Sequence, residues 1–386
     1  MAKKAYIGVN DVARKIKKGY IGVDGVARKI KKAYIGIGGV ARPCWSGGEL
    51  AYYGAISALK SKRQSLAATS VGDYAIFAGG NPASSTNQSS DTDAYNSSLT
   101  KVSIDALNEA QRSPKATHIG NYALFGGGYK SAADNGQTQV VTAYTTGLVR
   151  STPTSLRQVV SNHAAASNGT YAFFGGGGWS SSGLRATVNA YNTSLTRSLP
   201  TDLSTARKYL SATDTGGNVL FGGGRDSGST YYATVEAYNN SLTRSTITSF
   251  SEARYMSEAT SVGDYALFAG GRAGSDDGTI TTVEVYDSSL TKSVTATPLT
   301  IGRRGLAATS VGRYAIFGGG YTFIGGDNYR TEVDVYDASL TKTTITQLKT
   351  GRDNLAAASV GNYALFGGGK TDGSAILTSV EAYTVD

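Results

Sequence analysis

Apolar and polar positions along most of the chain repeat with one long period. A phrase of the form Tyr-Ala-Leu-Phe-Gly-Gly-Gly places its Phe at Phe77, Phe125, Phe174, Phe221, Phe268, Phe317 and Phe366, with spacings of 48, 49, 47, 47, 49 and 49. A second apolar marker, Ala/Val-Tyr, follows at Tyr95, Tyr144, Tyr191, Tyr238, Tyr286, Tyr336 and Tyr383. Seven copies near 48 residues imply one supersecondary unit used seven times. Within a unit the pattern predicts four strands. In the fifth copy these are strand A (258–263), strand B (264–271), strand C (281–287) and strand D (290–299), with a loop at 272–280 between B and C. Tight Val-Gly-Asp/Asn and Asp/Asn-Ser-Ser turns separate the close pairs. Strand A carries the smallest residues, as the innermost strand of converging sheets must. Strand B alternates Tyr265 and Leu267 with Ala266 and Phe268, apolar on both faces, which suits a strand covered from both sides.

The unit reads Arg, small residues, Tyr-x-x-Phe-Gly-Gly, then Val-Glu-x-Tyr-Asp/Asn. It resembles the kelch repeat of β-propellers. The resemblance covers residues 50–386 and implies an all-β, seven-bladed kelch-like propeller. Kelch units usually carry a late Trp; here Leu99, Leu195, Leu242, Leu290 and Leu340 take about that place, and Trp179 lies in a B–C loop. The seventh copy ends after strand C. Residues 51–66 align with 341–355, matching Ile56 to Ile345, Leu59 to Leu348 and Arg63 to Arg352, so 51–59 is expected to supply the missing strand D. That closure leaves no unpaired edge. It also sends residues 1–48 out of the face that carries the A–B and C–D turns, opposite the dissimilar B–C loops.

The first 45 residues follow a different, fourteen-residue rhythm, with Tyr6, Tyr20 and Tyr34 in register. Each unit reads as an apolar stretch, a two-residue turn such as Asp-Gly, and a return ending in Val-Ala-Arg, which predicts a hairpin. Pairing Val9 with Val12 sets Ile7 opposite Arg14 and Tyr6 opposite Lys15. Isolated two-stranded hairpins are marginal in water, so this segment calls for a partner. We therefore divide the chain into an assembly anchor (1–48), with Tyr6, Lys15, Tyr20, Lys29 and Tyr34 as its contact residues, and the propeller (49–386).

Charge sharpens that division. The net +9 arises from 37 Lys and Arg against 28 Asp and Glu. Residues 1–45 hold eleven of the basic residues and two Asp, so the remainder balances at 26 of each sign (37 less 11, 28 less 2). Clustered Lys and Arg suit phosphates, but a regular hairpin phrase is more than a nucleic-acid arm requires. The phrase, ending in Ala-Arg-Pro-Cys-Trp, resembles short repeats at the start of bacteriophage and prophage virion proteins of the tail or baseplate region. That resemblance implies a virion location, docking of residues 1–48 on other virion proteins or further copies of the chain, and display of the B–C loop face to a host surface glycan or protein. Alternatives are a capsid-decorating head fibre and a cellular kelch interaction module. No signal-like or membrane-spanning apolar run is read in the sequence.

Catalytic chemistry finds little footing. Copper-oxidase propellers need several His and Tyr ligands and a Cys–Tyr crosslink. This chain has His118 and His163 in different units and a single Cys44 in the anchor. The sialidase Asp-box is absent; "SDDGT" (275–279) reads as an acidic turn. The Gly triplets lack the Lys-Ser/Thr and following helix of a phosphate loop and suit close backbone approach instead. No enzyme, metal or cofactor is expected. Two groups remain as candidate ligand contacts. Arg63, Arg207, Arg254, Arg303 and Arg352 each stand fourteen residues before a Phe, with Gln111 and Val160 in the other two places. They form either an anion-attracting ring at the channel mouth or braces between blades. Tyr129, Trp179, Tyr231, Tyr232, Tyr321, Phe323 and Tyr329 bring aromatic rings to the non-repeating loops, as sugar- or protein-binding surfaces do.

Overall fold

The computed structural model describes residues 48–385 apart from 83–86, 131–135, 179–182, 275–277, 293–295 and 324–327, together with the backbone of six strands within residues 6–46. Seven antiparallel sheets follow one another around an axis, six of them running A-B-C-D from centre to rim and the fifth described as A-B-C. Strand B, such as Tyr122–Gly126, is fully covered over its last four residues because a sheet lies on each side of it. Strand A shows alternating burial, as in Ala67–Val71, because one of its faces lines the central channel. In the fifth blade the predicted rim strand is described at its two ends, where Lys292 pairs with Tyr286 and Ala296 with Val283; residues 293–295 between them lie outside the described residues.

Blades are joined by aromatic and backbone bonds that recur around the ring. Each strand-C Tyr lies edge-on to its own blade's Phe, with Phe77 and Tyr95 centred 6.0 Å apart. Its hydroxyl donates to a carbonyl of the preceding blade's rim, as Tyr238 does to Thr201 at 2.9 Å. The Gly triplets make the second link. The last Gly donates its N–H to the loop before the next blade, Gly177 to Arg207 at 2.7 Å and Gly224 to Arg254 at 2.8 Å. The middle Gly holds a positive φ (Gly223, +69°), and a Cβ there would stand 2.6 Å from the same Arg254 carbonyl. Only glycine fits that conformation and that approach.

The ring closes on a borrowed N-terminal strand, as the sequence predicts, although that strand ends at Ile56 and not at Leu59. Leu50–Ile56 pairs antiparallel with Val380–Val385, Ile56 opposite Val380 and Leu50 opposite Val385, with a bulge between Ala382 and Tyr383. Tyr95 of the first blade donates to Ser57, and Gly369 of the last donates to Arg63, so both recurring links continue across the seam. The A–B and C–D turns share one face: a Cβ at Gly120 would touch Thr193 of the next blade, and one at Gly361 would touch Ser97. Gly48 enters on that face, its carbonyl accepting from the Tyr314 hydroxyl at 3.3 Å beside the A–B turn of the sixth blade.

The basic repeat forms three hairpins. Tyr6 stands opposite Lys15 and Val9 opposite Val12. Tyr20 and Lys29 occupy the same register in the second. The third pairs Tyr34 with Pro43 beyond a bulge at Ala33 and is longer, Lys32–Ile37 with Val40–Ser46.

Candidate functional site

The five repeated arginines are fully buried braces, not a ligand-facing ring. Arg63, Arg207, Arg254, Arg303 and Arg352 are at most 1 % exposed. Each meets a strand-C carboxylate of its own blade: Arg63 with Asp93, Arg207 with Glu236 at 2.8 Å, Arg254 with Glu284 at 3.1 Å, Arg303 with Asp334 at 2.7 Å and Arg352 with Glu381 at 2.7 Å. Guanidinium groups also bond carbonyls of the Gly phrase, as Arg303 Nε does to Gly319 at 2.7 Å. Removing a charge from water is costly unless it is paired and hydrogen-bonded; all five are paired, and Arg63, Arg254, Arg303 and Arg352 also hold hydrogen bonds to carbonyls of the Gly phrase.

The two exceptions clarify the device. Where Gln111 and Val160 replace Arg, Thr142 and Asn189 replace the carboxylate. All seven strand-C residues still accept one loop N–H, Arg157 N to Asn189 Oδ1 at 2.8 Å and Ser204 N to Glu236 Oε1 at 2.8 Å among them. The acceptor is common to every blade, whereas the charge appears only as a pair. A rim cation completes several of these sites, such as Lys292 on Glu284 at 2.8 Å. In the closing blade the borrowed strand supplies Tyr52 instead, donating to Glu381 at 2.9 Å. Burial, then the Glu381 bond and charge, push the Tyr52 phenol up to about 12.

A different set of charges faces the loop side. The residue after each inner-loop Arg position pairs with the residue after the Gly phrase: Arg112 with Tyr129, Lys208 with Arg225, Tyr255 with Arg272, Arg304 with Tyr321 and Asp353 with Lys370. Reciprocal backbone bonds hold these pairs, for example Arg304 N to Tyr321 O at 2.9 Å and Tyr321 N to Arg304 O at 2.8 Å. Gln64 with Asn81 and Ser161 with Gly178 occupy the same place in the first and third blades. Six of these fourteen residues are cationic (Arg112, Lys208, Arg225, Arg272, Arg304, Lys370) and one, Asp353, is acidic.

Aromatic rings interleave with the cations. The Arg112 guanidinium lies 4.5 Å from the Tyr129 ring centre. Arg225 lies 5.7 Å from Tyr231 and 5.2 Å from Tyr255, and those two rings stack at 5.3 Å. Arg272 lies 4.9 Å from Phe323, and Arg304 lies 5.3 Å from Tyr321 and 5.1 Å from Phe323. Tyr329 packs edge-on against Tyr321 at 5.1 Å. Such contacts contribute roughly 0.5–1 kcal/mol each at accessible sites and fix the guanidinium planes. Tyr129, Tyr231, Tyr321, Phe323 and Tyr329 thus join one cation–aromatic belt. Tyr232 is half-buried close to Arg207, and Trp179 lies outside the described residues.

The belt surrounds the channel mouth. Residues at its inner edge take positive φ, including Ser65 (+52°), Tyr209 (+59°) and Met256 (+56°). That conformation lets each N–H reach the preceding blade: Ser113 N to Ser65 O at 2.7 Å, Tyr209 N to Asn162 O at 2.8 Å, Met256 N to Tyr209 O at 2.9 Å. Charges converge there from several blades, since Arg225, Arg112 and Arg304 all oppose the burial-driven rise of the Tyr209 pKa. Below the mouth lies an axial cavity of about 180 Å³ walled by strand A of all seven blades.

His118 and His163 do not meet. Burial, then the Lys115 charge, push the His163 imidazole down to about 3. His118 instead belongs to the channel wall, where it is exposed to the channel and crowding by the surrounding strands lowers its pKa against the opposing charge of Asp214. Among the described residues no cluster of His, Cys, Asp and Glu gathers that could hold a metal ion.

Sequence reading missed the carboxylate 29–31 residues after each Arg and the cations beside it. Both left a signal: an acid present only in units that have the Arg, and Arg225, Arg272 and Lys370 directly after Gly-Gly.

No protein-family model matches the chain, and no curated protein matches it. Among solved structures the chain is similar to that of YjhT, with a TM-score of 0.56 and 12% sequence identity, over 86% of this chain and 97% of that one. This chain is a seven-bladed β-propeller. At that level of identity the likeness concerns the fold alone.

Proposed function

We propose that the chain is a non-enzymatic bacteriophage virion protein of the tail or baseplate region, built on kelch-type repeats. Residues 1–48 dock it on the particle, and the cation–aromatic belt binds an anionic polymer of the host surface, such as an acidic glycan or a phosphate-bearing wall polymer. The observation that carries this reading is polarity: Gly48 enters beside Tyr314 on the turn face, whereas the belt of Arg112, Arg225, Arg272 and Arg304 stands on the loop face. A tether at one pole leaves the other open to a partner. Cations beside aromatic rings suit an anionic sugar, whose charge meets the guanidinium groups while its ring face packs on tyrosine.

The experiment is a glycan array probed with the full chain, in parallel with immunogold labelling of virions. Binding confined to acidic polymers, at least tenfold weaker for Arg225→Ala and reduced by salt, is expected. A blank array, or capture of a cytosolic protein with unlabelled particles, would favour a cellular interaction module instead.

A further inference from the structure

The axial cavity holds a site that the belt does not explain. Its wall is mainly apolar, with Leu66, Pro114, Leu210, Leu306 and Leu355 beside a run of small residues: the first position of strand A is Ala67, Ala164, Ser211, Ala307 or Ala356 in five blades. The second blade has Lys115 at this position and the fifth has Glu258, and both line the cavity. Those blades stand three apart in a ring of seven, so an ammonium and a carboxylate enter from opposing walls. They do not form an ion pair within 4.0 Å. They nonetheless sense each other: burial raises the Glu258 pKa, and the Lys115 charge pulls it back. A lone charge among alanines is unfavourable without a partner of opposite sign or water. Five blades build the same wall with no charge at all, so the two charges are not needed for the fold.

We propose that the cavity binds a small zwitterion of the ω-amino acid class, its ammonium on Glu258 and its carboxylate on Lys115. A volume of about 180 Å³ admits a ligand of a few carbons. Entry is through the belted mouth, where cations such as Arg112 and Arg225 draw in the anionic end. A ligand with one charge meets one wall and leaves the opposite charge unsatisfied, so both ends are required.

Lys115→Ala and Glu258→Ala reproduce residues found at this position in other blades, so both variants are expected to fold, with melting temperatures close to that of the parent chain. The full chain and both variants are titrated calorimetrically with glycine, β-alanine and γ-aminobutyrate, with acetate and methylammonium as single-charge controls. One of the three amino acids should bind saturably and at least tenfold more tightly than either control, its preferred length reporting the gap between the walls. Each variant should weaken that binding at least tenfold. Absence of saturable binding for all three up to roughly 10 mM, equal binding of acetate, or binding unchanged in either variant would overturn the proposal.

Discussion

Arg207 and Glu236 show how much a single pair carries in this molecule. Both are 0 % exposed, and the pair spans a blade interior with a Ser204 N–H already on the carboxylate. Removing one partner of a buried pair leaves an uncompensated charge and typically costs 3–5 kcal/mol. Arg207→Val should therefore destabilise by about 3–5 kcal/mol in denaturant unfolding. The double variant Arg207→Val/Glu236→Asn should recover most of that loss, because the third blade is built with Val160 and Asn189 at these places. A double variant no more stable than the single one would contradict the bracing role. Asp353 gives a separate test by pH. Burial, opposed by the Asn354 bond and the Arg304 and Lys370 charges, pushes its carboxyl up to about 6. Its unfolded value is about 3.9, so the folded state holds an extra proton between those values. The stability this provides is present below about pH 4 and lost as pH rises through about 6. Asp353→Asn should flatten the melting-temperature profile across that window while leaving the acid limb below it, which belongs to carboxylates such as Asp334. There burial is outweighed by Arg303, Lys342 and Thr300, and the pKa is lowered.

Strand B and its glycines set the spacing between blades. Gly126 faces the Phe174 ring of the next blade at 3.0 Å from a built Cβ, and its counterparts Ala78 and Ala269 already carry that methyl. Gly127 differs, since its φ is +64° and a Cβ would stand 2.9 Å from the Val160 carbonyl. Gly127→Ala should cost at least about 2 kcal/mol and Gly126→Ala clearly less, measured side by side by chemical denaturation. Equal costs would mean that inter-blade approach does not demand glycine. At this scale the sequence was easily read. Period, strand order and the need for small residues in strand A were visible because near-identical copies average out local noise. The burial of Arg63 and its equivalents was not, because repetition marks a structural position without giving its depth. The belt was hidden for the opposite reason: Arg225, Arg272 and Tyr321 fill equivalent places with unlike residues, and only backbone pairing reveals that they are neighbours.

At the scale of the whole molecule, everything follows from where the ring is sealed. The alignment of Ile56, Leu59 and Arg63 with Ile345, Leu348 and Arg352 foretold the seam, because a sheet lacking its fourth strand must borrow one. Leu59 and Leu348 are buried to the same 3 %. Ile56 and Ile345 pack on the cores of their respective blades. The borrowed strand fixes the face from which the basic hairpins depart and, with it, which pole is left for the belt. Thr384 and Ala51 are directly opposed across the seam. Opposed Cα atoms in an antiparallel pair lie about 4.5–5.5 Å apart, within the range a disulfide spans. The decisive measurement is oxidation of Ala51→Cys/Thr384→Cys in a Cys44→Ser background. The account predicts near-complete crosslinking in the folded chain and a higher unfolding temperature, since the bond would close a loop of most of the molecule. Two thiols that remain reactive to a labelling reagent, with the unfolding temperature unchanged, would contradict it.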